Sequence, residues 1–334
     1  MDSLTHIALG AIIGDTVAGK ELGKKSLLLG AIAQSIPDID FLASLWLSPD
    51  ENLLAHRGFT HSLCFAILLT PLLALFGSRW NSALSMSKWI FFFGLQIFIH
   101  ILLDTCNTYG VGWLEPFAHH RLSFNLLFVV DPFFSFPLGI SALLVLFFRI
   151  RNPSRINWRQ LGLFLSVLYI LYAIGNKLKI ESQINESLNL HHIANDQTLI
   201  TPTPFNSWLW YAVIKSNGGY YISYRSVFDN GNEIEFTFFP GNDSLLNPFL
   251  KTKELENLLT FSQGYYTISN HQDTLVFNVL RFGQISGWSN PKGDFAFHYY
   301  LNRPSENKFV VQRGRFAAWN YETIKRFWSR IKGK

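Results

Sequence analysis

The chain has 334 residues, enough for two domains and a large core. Charged residues are only 15% of it, against about 25% in ordinary soluble domains, while aromatic residues reach 16%, with 31 Phe. The net charge of +5 is spread over both halves with no basic stripe, which argues against nucleic acid as a partner.

Six apolar helical segments are predicted before residue 180: 4–17, 26–47 with a break at Pro37, 60–76, 88–106, 132–148 and 161–177. Several fall short of the roughly 20 residues that cross a bilayer, so the buried helices of a soluble bundle are the competing reading. The charges between segments favour the membrane. Lys20, Lys24 and Lys25 follow the first; Arg79 and Lys88 lie between the third and fourth; Arg149, Arg151, Arg155 and Arg159 lie between the fifth and sixth. With these cytoplasmic, as basic loops tend to be, the alternation holds through all six segments. The N-terminus, the loops 38–61 and 104–131, and everything after the sixth segment then share the opposite side. No basic stretch precedes the first apolar run, so no cleaved signal peptide is expected.

Beyond residue 180 the pattern changes to that of a soluble domain. Residues 181–200 read as a linker. Strands at 208–215 and 220–228 flank Asn217-Gly218-Gly219 as a hairpin, and a strand at 233–238 follows Asp229-Asn230-Gly231. A helix at 251–262, strands at 275–282 and 295–301, and an amphipathic helix at 321–331 complete the series. The expected fold is an α-helical membrane bundle of about six helices over 1–180, followed by a small α+β soluble accessory domain over 201–334 on the extracytoplasmic side. That domain carries no catalytic motif, and His191, His192, His271 and His298 receive no function. Cys64 and Cys106 lie among apolar residues and read as buried thiols.

The chemistry concentrates at the margins of the first four segments. His100 and Asp104, four apart near the end of an apolar run, leave one face of a helix, and an unpaired carboxylate there needs a cation, a partner or water. His6, Asp38, Asp40, His56 and His61 repeat the anomaly. Imidazole and carboxylate are the ligand set of zinc and its divalent neighbours. Seven candidate ligands exceed the four of a single structural zinc, which leaves room for two or more ions, with Asp104 suited to bridge them.

Each residue alone has an ordinary alternative. A single His on an apolar face is usually a hydrogen-bonded core residue. Asp38, Thr60 and Asp131 could cap helices, as Asp2 and Ser3 do in this reading. Arg57 could hold a phosphate bidentately or pair with Asp40. His119 and His120, beside Glu115 and Arg121, could add a ligand or be solvated. The set, all on one side of the apolar segments, carries the reading of a metal site.

These motifs resemble the YdjM/YbcI family of inner-membrane metal-dependent hydrolases, closely over about residues 1–150. The matching strings are Met1-Asp2-Ser3-Leu4-Thr5-His6, Pro37-Asp38-Ile39-Asp40, His56-Arg57-Gly58-Phe59-Thr60-His61-Ser62, and His100 through Asp104 to Asn107-Thr108-Tyr109-Gly110, with Asp131-Pro132. The HRGxTHS string is specific, whereas HxxxD alone would be weak. More distantly, the order Asp, His, HxxxD is similar to the helical zinc-dependent phospholipase C and single-strand nuclease group. That likeness implies a phospholipase C-like helical core, ligands at Asp38 or Asp40, His61, His100 and Asp104, and a contribution from His6. The downstream histidine and HxxxE pair of that group have only His119, His120 and a preceding Glu115 as counterparts here.

The expectation is a multi-pass bacterial inner-membrane hydrolase using a divalent metal, foremost Zn2+ with Mn2+ as the alternative, one to three ions in number. Metal-activated water would cleave a phosphoester of a lipid or lipid-linked substrate at the outer face, with Asp40, Arg57 and Asp104 as catalytic residues. A non-enzymatic metal-binding scaffold or regulator, engaging a protein partner through its C-terminal domain, is the second reading. A transporter ranks last, because the charges sit toward helix ends rather than mid-bilayer.

Overall fold

A computed structural model describes residues 1–150, 152–231, 233–271, 274–301, 307, 316 and 319–334. The chain divides into two compact bodies, one of residues 1–46 and 55–173, the other of residues 47–54 and 174–334.

In the first body, α1 (Ser3–Leu22) starts at Asp2, whose carboxylate accepts from the Thr5 N–H at 3.0 Å. α2 (Lys25–Ser35) is broken by Pro37, and the 3-10 helix Pro37–Leu45 leaves at 51° to it. α3 (Pro49–Ala55) belongs mostly to the second body. A single 3-10 turn, Phe59–His61, leads into α4 (Leu63–Trp80), which Ser62 caps through the Phe65 N–H. α5 (Met86–Thr105) follows, and after a loop α6 (Pro132–Phe147) begins at Asp131, its cap. α7 (Pro153–Leu190) runs 38 residues. Each of the six apolar segments is thus helical.

Membrane crossings by length and apolar character number three among the described residues: α4, α5 and α7. The bent pair of α2 and the 3-10 helix after it would make a fourth. This is fewer than six, because α6 has 16 residues and α1 carries His6, Asp15, Lys20 and Glu21. Ile67, Leu72 and Phe76 on α4, Phe136 on α6 and Phe164 on α7 turn outward, as lipid-facing side chains do.

α1 and α2 pack closely because both present glycine. A Cβ added at Gly30 would lie 2.1 Å from the Gly10 carbonyl oxygen, and one at Gly14 would lie 2.2 Å from that of Ser26. Such small-residue seams let helix backbones approach. Gln96 of α5 donates to the Gly10 carbonyl at 3.0 Å, tying α5 to this seam. Leu9 and Ile13 of α1, Leu103 of α5 and Phe134 and Leu138 of α6 form one core cluster. At the other end, Asp15 of α1 is buried against Arg155 and Arg159. Those two arginines therefore lie in α7 and are ion-paired, so they weigh less as loop charges. Arg151 lies outside the described residues.

In the second body, β1 (Gln197–Pro202), β2 (Leu209–Ser216), β3 (Gly219–Ser226) and β4 (Thr237–Pro240) form an antiparallel sheet in chain order. Ser216 pairs with Gly219, so Asn217 and Gly218 are the two-residue turn, with Gly218 at φ +78°. α8 (Lys253–Ser262) is capped by Thr252 and preceded by a 3-10 helix, Asp243–Phe249. β5 (Tyr266–His271), β6 (Thr274–Val279) and β7 (His298–Tyr300) make a second antiparallel sheet, and α9 (Tyr321–Ile331) follows. Ile180, Ile184 and Leu188 of α7 pack on Trp210, Ala212 and Ile214 of β2.

Several sequence boundaries shift. Residues 181–190, read as the start of a linker, continue α7, since their apolar face is covered by β2; residues 197–200 are already β1. The strand expected at 233–238 is ladder-paired only from Thr237, and the Glu233 carbonyl instead accepts from Arg225 Nη1 at 3.3 Å. The strand expected at 275–282 ends at Val279 in a 3-10 turn, and that at 295–301 is a regular strand over His298–Tyr300, with an isolated bridge from Phe295 to Gln284.

Candidate metal centre

Four side chains converge in the first body. Asp38, His61, His100 and Asp104 each offer a ligand atom, and these atoms lie within 4.8 Å of one another. His100 and Asp104 come from one face of α5, as their spacing requires. Asp38 comes from the first turn after Pro37, and His61 from the 3-10 turn before α4. His61 Nε2 lies 3.6 Å from Asp38 Oδ1, 3.5 Å from Asp104 Oδ2 and 3.1 Å from His100 Nε2. His100 Nε2 lies 3.5 Å from Asp38 Oδ1 and 3.9 Å from Asp104 Oδ2. Donors about 2.0–2.2 Å from a tetrahedral ion sit roughly 3.3–3.6 Å apart. The group therefore fits one divalent ion and could hold it; nothing in the geometry fixes the element.

Neighbouring groups fix which ring nitrogens point inward. His100 Nδ1 donates to the Gln34 carbonyl at 2.6 Å, leaving Nε2 as a lone pair. His61 Nδ1 faces Thr60 Oγ1 at 3.0 Å and Asp40 Oδ2 at 3.4 Å, which likewise frees its Nε2. Burial pushes the His61 imidazole down, but the Asp104 and Asp38 carboxylates outweigh it and raise its pKa. His61, His100 and Asp104 are fully buried, while the Asp38 side chain is 24% exposed, so any approach is on the Asp38 side.

The remaining sequence candidates surround this group without joining it. His6 Nε2 lies 3.1 Å from Asp104 Oδ1, and its ring stacks on that of His100 at 3.9 Å. Asp40 turns away from Asp38, because residues two apart on a 3-10 helix diverge by about 120°. It instead accepts from the Arg57 backbone N–H at 2.6 Å and contacts His56 and His61. His56 is half-exposed, beside Asp40 and the edge of Tyr109. The seven candidates therefore do not converge on one cage: two carboxylates and two imidazoles do.

Arg57 sits at φ +59°, a left-handed conformation that side chains other than glycine rarely adopt. That turn sends its backbone N–H to Asp40 and its guanidinium inward. Nε lies 2.9 Å from Asp104 Oδ2, and Nη1 donates to Asn107 Oδ1 at 2.7 Å. The guanidinium's carboxylate partner is Asp104, not Asp40. The Met1 amino nitrogen also lies against Asp104 Oδ1. Arg121 is buried, held at the His56 carbonyl at 2.6 Å, and burial with the Arg57 charge lowers its pKa to about 10. His119 pairs with Glu115 at 2.9 Å, and both His119 and His120 are exposed. Asp131 caps α6 and accepts from the Tyr169 hydroxyl at 2.8 Å.

Gln34, Asn107 and Thr60 were not legible as site residues. Gln34 acts through its backbone carbonyl, which has no side-chain signature. Asn107 was visible only as part of the string after Asp104.

A helical chain with long apolar helices and a buried cluster able to hold a divalent ion defines a class: an integral membrane protein with a candidate metal centre. The chain belongs to the YdjM inner membrane protein family, whose model matches residues 1–180. It is 36% identical over 120 residues to the inner membrane protein YbcI of Escherichia coli K12, over 35% of this chain and 69% of that protein. It is 26% identical over 220 residues to the uncharacterized protein YfhP of Bacillus subtilis 168, over 62% of this chain and 64% of that one. No solved structure matches.

Proposed function

We propose that the chain is a metal-dependent hydrolase of the membrane, acting on a phosphoester of a lipid or lipid-linked compound. The observation that carries this reading is the tetrad itself: mixed imidazole and carboxylate donors, without thiolate, with one ligand open to the outside. In this reading Asp38, His61, His100 and Asp104 hold the ion, foremost Zn2+. Bound there, it would supply a water acidic enough to attack an ester near neutral pH.

The chain's own residues divide the remaining work. Gln34 and Asp40 aim the two imidazoles. His6 holds the outer oxygen of Asp104. Arg57, anchored by Asn107, balances the Asp104 charge and offers the nearest guanidinium to an anionic phosphoryl oxygen. Asp40 is thereby a positioning residue rather than a ligand. The basic loops support a non-cytoplasmic site and second body, although Arg155 and Arg159 contribute less to that pattern than their sequence position suggested.

A second reading has its own observation. Four protein donors complete a tetrahedron, as structural zinc sites do, whereas catalytic ones keep a position open. A closed shell would make the chain a metal-stabilised scaffold, with the second body as the surface for a protein partner. The two are separated by purifying the protein in detergent, measuring bound metal, and assaying phosphoester hydrolysis beside His100→Ala. Metal and hydrolysis both lost in the variant support the hydrolase. Metal bound without hydrolysis of any phosphoester supports the scaffold.

A further inference from the structure

An apolar groove of about 630 Å3 runs along α1 and α2 to the candidate metal centre. Ser3 and Ile7 line one wall, and Leu28, Ala31, Ile32 and Ser35 the other, spaced as one outward stripe of α2. The stripe from Leu28 to Ser35 extends about 11 Å at 1.5 Å per residue. Leu28, Ile32 and Phe41 are each more than half exposed. The break at Pro37 turns the chain so that Asp38 stands among the lining residues.

Asp38 is the only charged group in that lining, and it is also a member of the tetrad and its only accessible one. The groove therefore joins a hydrocarbon-lined channel to a site built to hold a cation. One kind of molecule matches both features at once: an amphiphile with an anionic head and a long hydrocarbon tail. A wholly apolar molecule would leave Asp38 and its ion unmatched. A small soluble phosphate would match the ion and make no use of the apolar stripe.

We propose that this groove seats the hydrocarbon chain of a lipid phosphate, whose head lies at Asp38 beside the bound ion. The inference rests on the hydrolase reading for the role of the site, and it adds the substrate's chain and its direction of entry, laterally along the outward groove beside α1 and α2. Hydrolysis itself is not needed for it, so binding tests it separately.

The experiment uses dodecyl phosphate carrying a diazirine in its chain, irradiated with zinc-loaded full-length protein in detergent, and the cross-links mapped by mass spectrometry. Saturable labelling of Ile7, Leu28 and Ile32 is expected. Unlabelled dodecyl phosphate should reduce it about tenfold, and dodecanol or inorganic phosphate at equal concentration should leave it nearly unchanged. Leu28→Trp and Ile32→Trp, at exposed positions that tolerate a larger side chain, should each cut the labelling at least fivefold with metal content retained. Labelling spread evenly over the outward faces of α4, α6 and α7, or displaced equally by dodecanol, would overturn the proposal. Saturable groove labelling in a protein that hydrolyses no phosphoester would keep the lipid site and refute the hydrolase.

Discussion

His61 and His100 turn their Nε2 atoms toward each other at 3.1 Å while each Nδ1 faces a hydrogen-bond acceptor. Two neutral imidazoles so arranged oppose lone pairs, and only a cation or proton between them makes the contact favourable. Metal is therefore expected to copurify at about one equivalent, the complement of one four-ligand cage. His100→Ala should reduce this to a trace, measured by elemental analysis, with helical circular dichroism retained. Full metal content in the variant would place the ion elsewhere.

Asp40 touches the outer nitrogen of His61 rather than the inward face where the four ligand atoms meet. Asp40→Asn keeps a side-chain acceptor for the Arg57 N–H but removes the charge that steadies the imidazole. Metal affinity is expected to fall about 10- to 100-fold, the usual cost of losing an outer-shell carboxylate. Competition with a chelating dye measures it. A loss as complete as in His100→Ala would make Asp40 a ligand after all.

The HxxxD pair on an apolar helix named two of the four convergent residues because helical spacing alone sets their common face. From residue type alone His61 and Asp38 were visible only as members of a larger set; the distant phospholipase C likeness singled out His61 and left Asp38 or Asp40 open. Separating them from His56 and Asp40 needs the turn at Pro37 and the left-handed backbone at Arg57, and neither follows from residue type. The six apolar segments were legible from hydropathy; the reach of α7 was not, since its last turns are held by β2, far along the chain. Asp15 gave no signal, because its partners are about 140 residues away.

Arg57 combines an unfavourable backbone with an inward guanidinium. Arg57→Gly relieves the first and loses the second; Arg57→Ala loses the guanidinium and keeps the strain. The glycine variant should therefore be the more stable by about 1 kcal/mol, roughly 2 °C in thermal midpoint. Hydrolysis should fall in both to a similar degree. Equal midpoints would show that the turn relaxes when the guanidinium is removed.

Asp131, capping α6 under Tyr169, has its carboxyl pushed up to about 6 by burial, which outweighs those hydrogen bonds. The folded protein then holds a proton that the unfolded chain releases near 3.8. Stability from this group is full below pH 3.8, declines as pH rises toward 6 and is flat above, a loss of about 3 kcal/mol. Asp131→Asn keeps the cap and should remove the decline, leaving the variant more stable than wild type at pH 7. Thermal midpoints at pH 4, 5, 6 and 7 test it. Parallel profiles for the two proteins would contradict the assignment.

Asp15 accepts from Arg155 Nη2 at 2.5 Å, and Arg159 Nη1 lies 3.3 Å from its other oxygen. Arg155 also donates to the Val145 and Phe148 carbonyls at 2.7 and 3.0 Å, closing the C-terminal end of α6 onto α1 and α7. Arg155→Ala therefore leaves the buried Asp15 carboxylate with Arg159 alone and strands two helix-terminal carbonyls. A cost of about 3 kcal/mol is expected, the low end of the range for breaking a buried pair from one side, because Arg159 remains. Removing the carboxylate as well, in Asp15→Leu with Arg155→Met, should recover part of that, because the cost lies in the unpaired charge rather than in the lost attraction. Thermal unfolding in detergent separates the cases. A double variant no more stable than Arg155→Ala would mean that the carbonyl contacts, and not the ion pair, hold this end of the bundle.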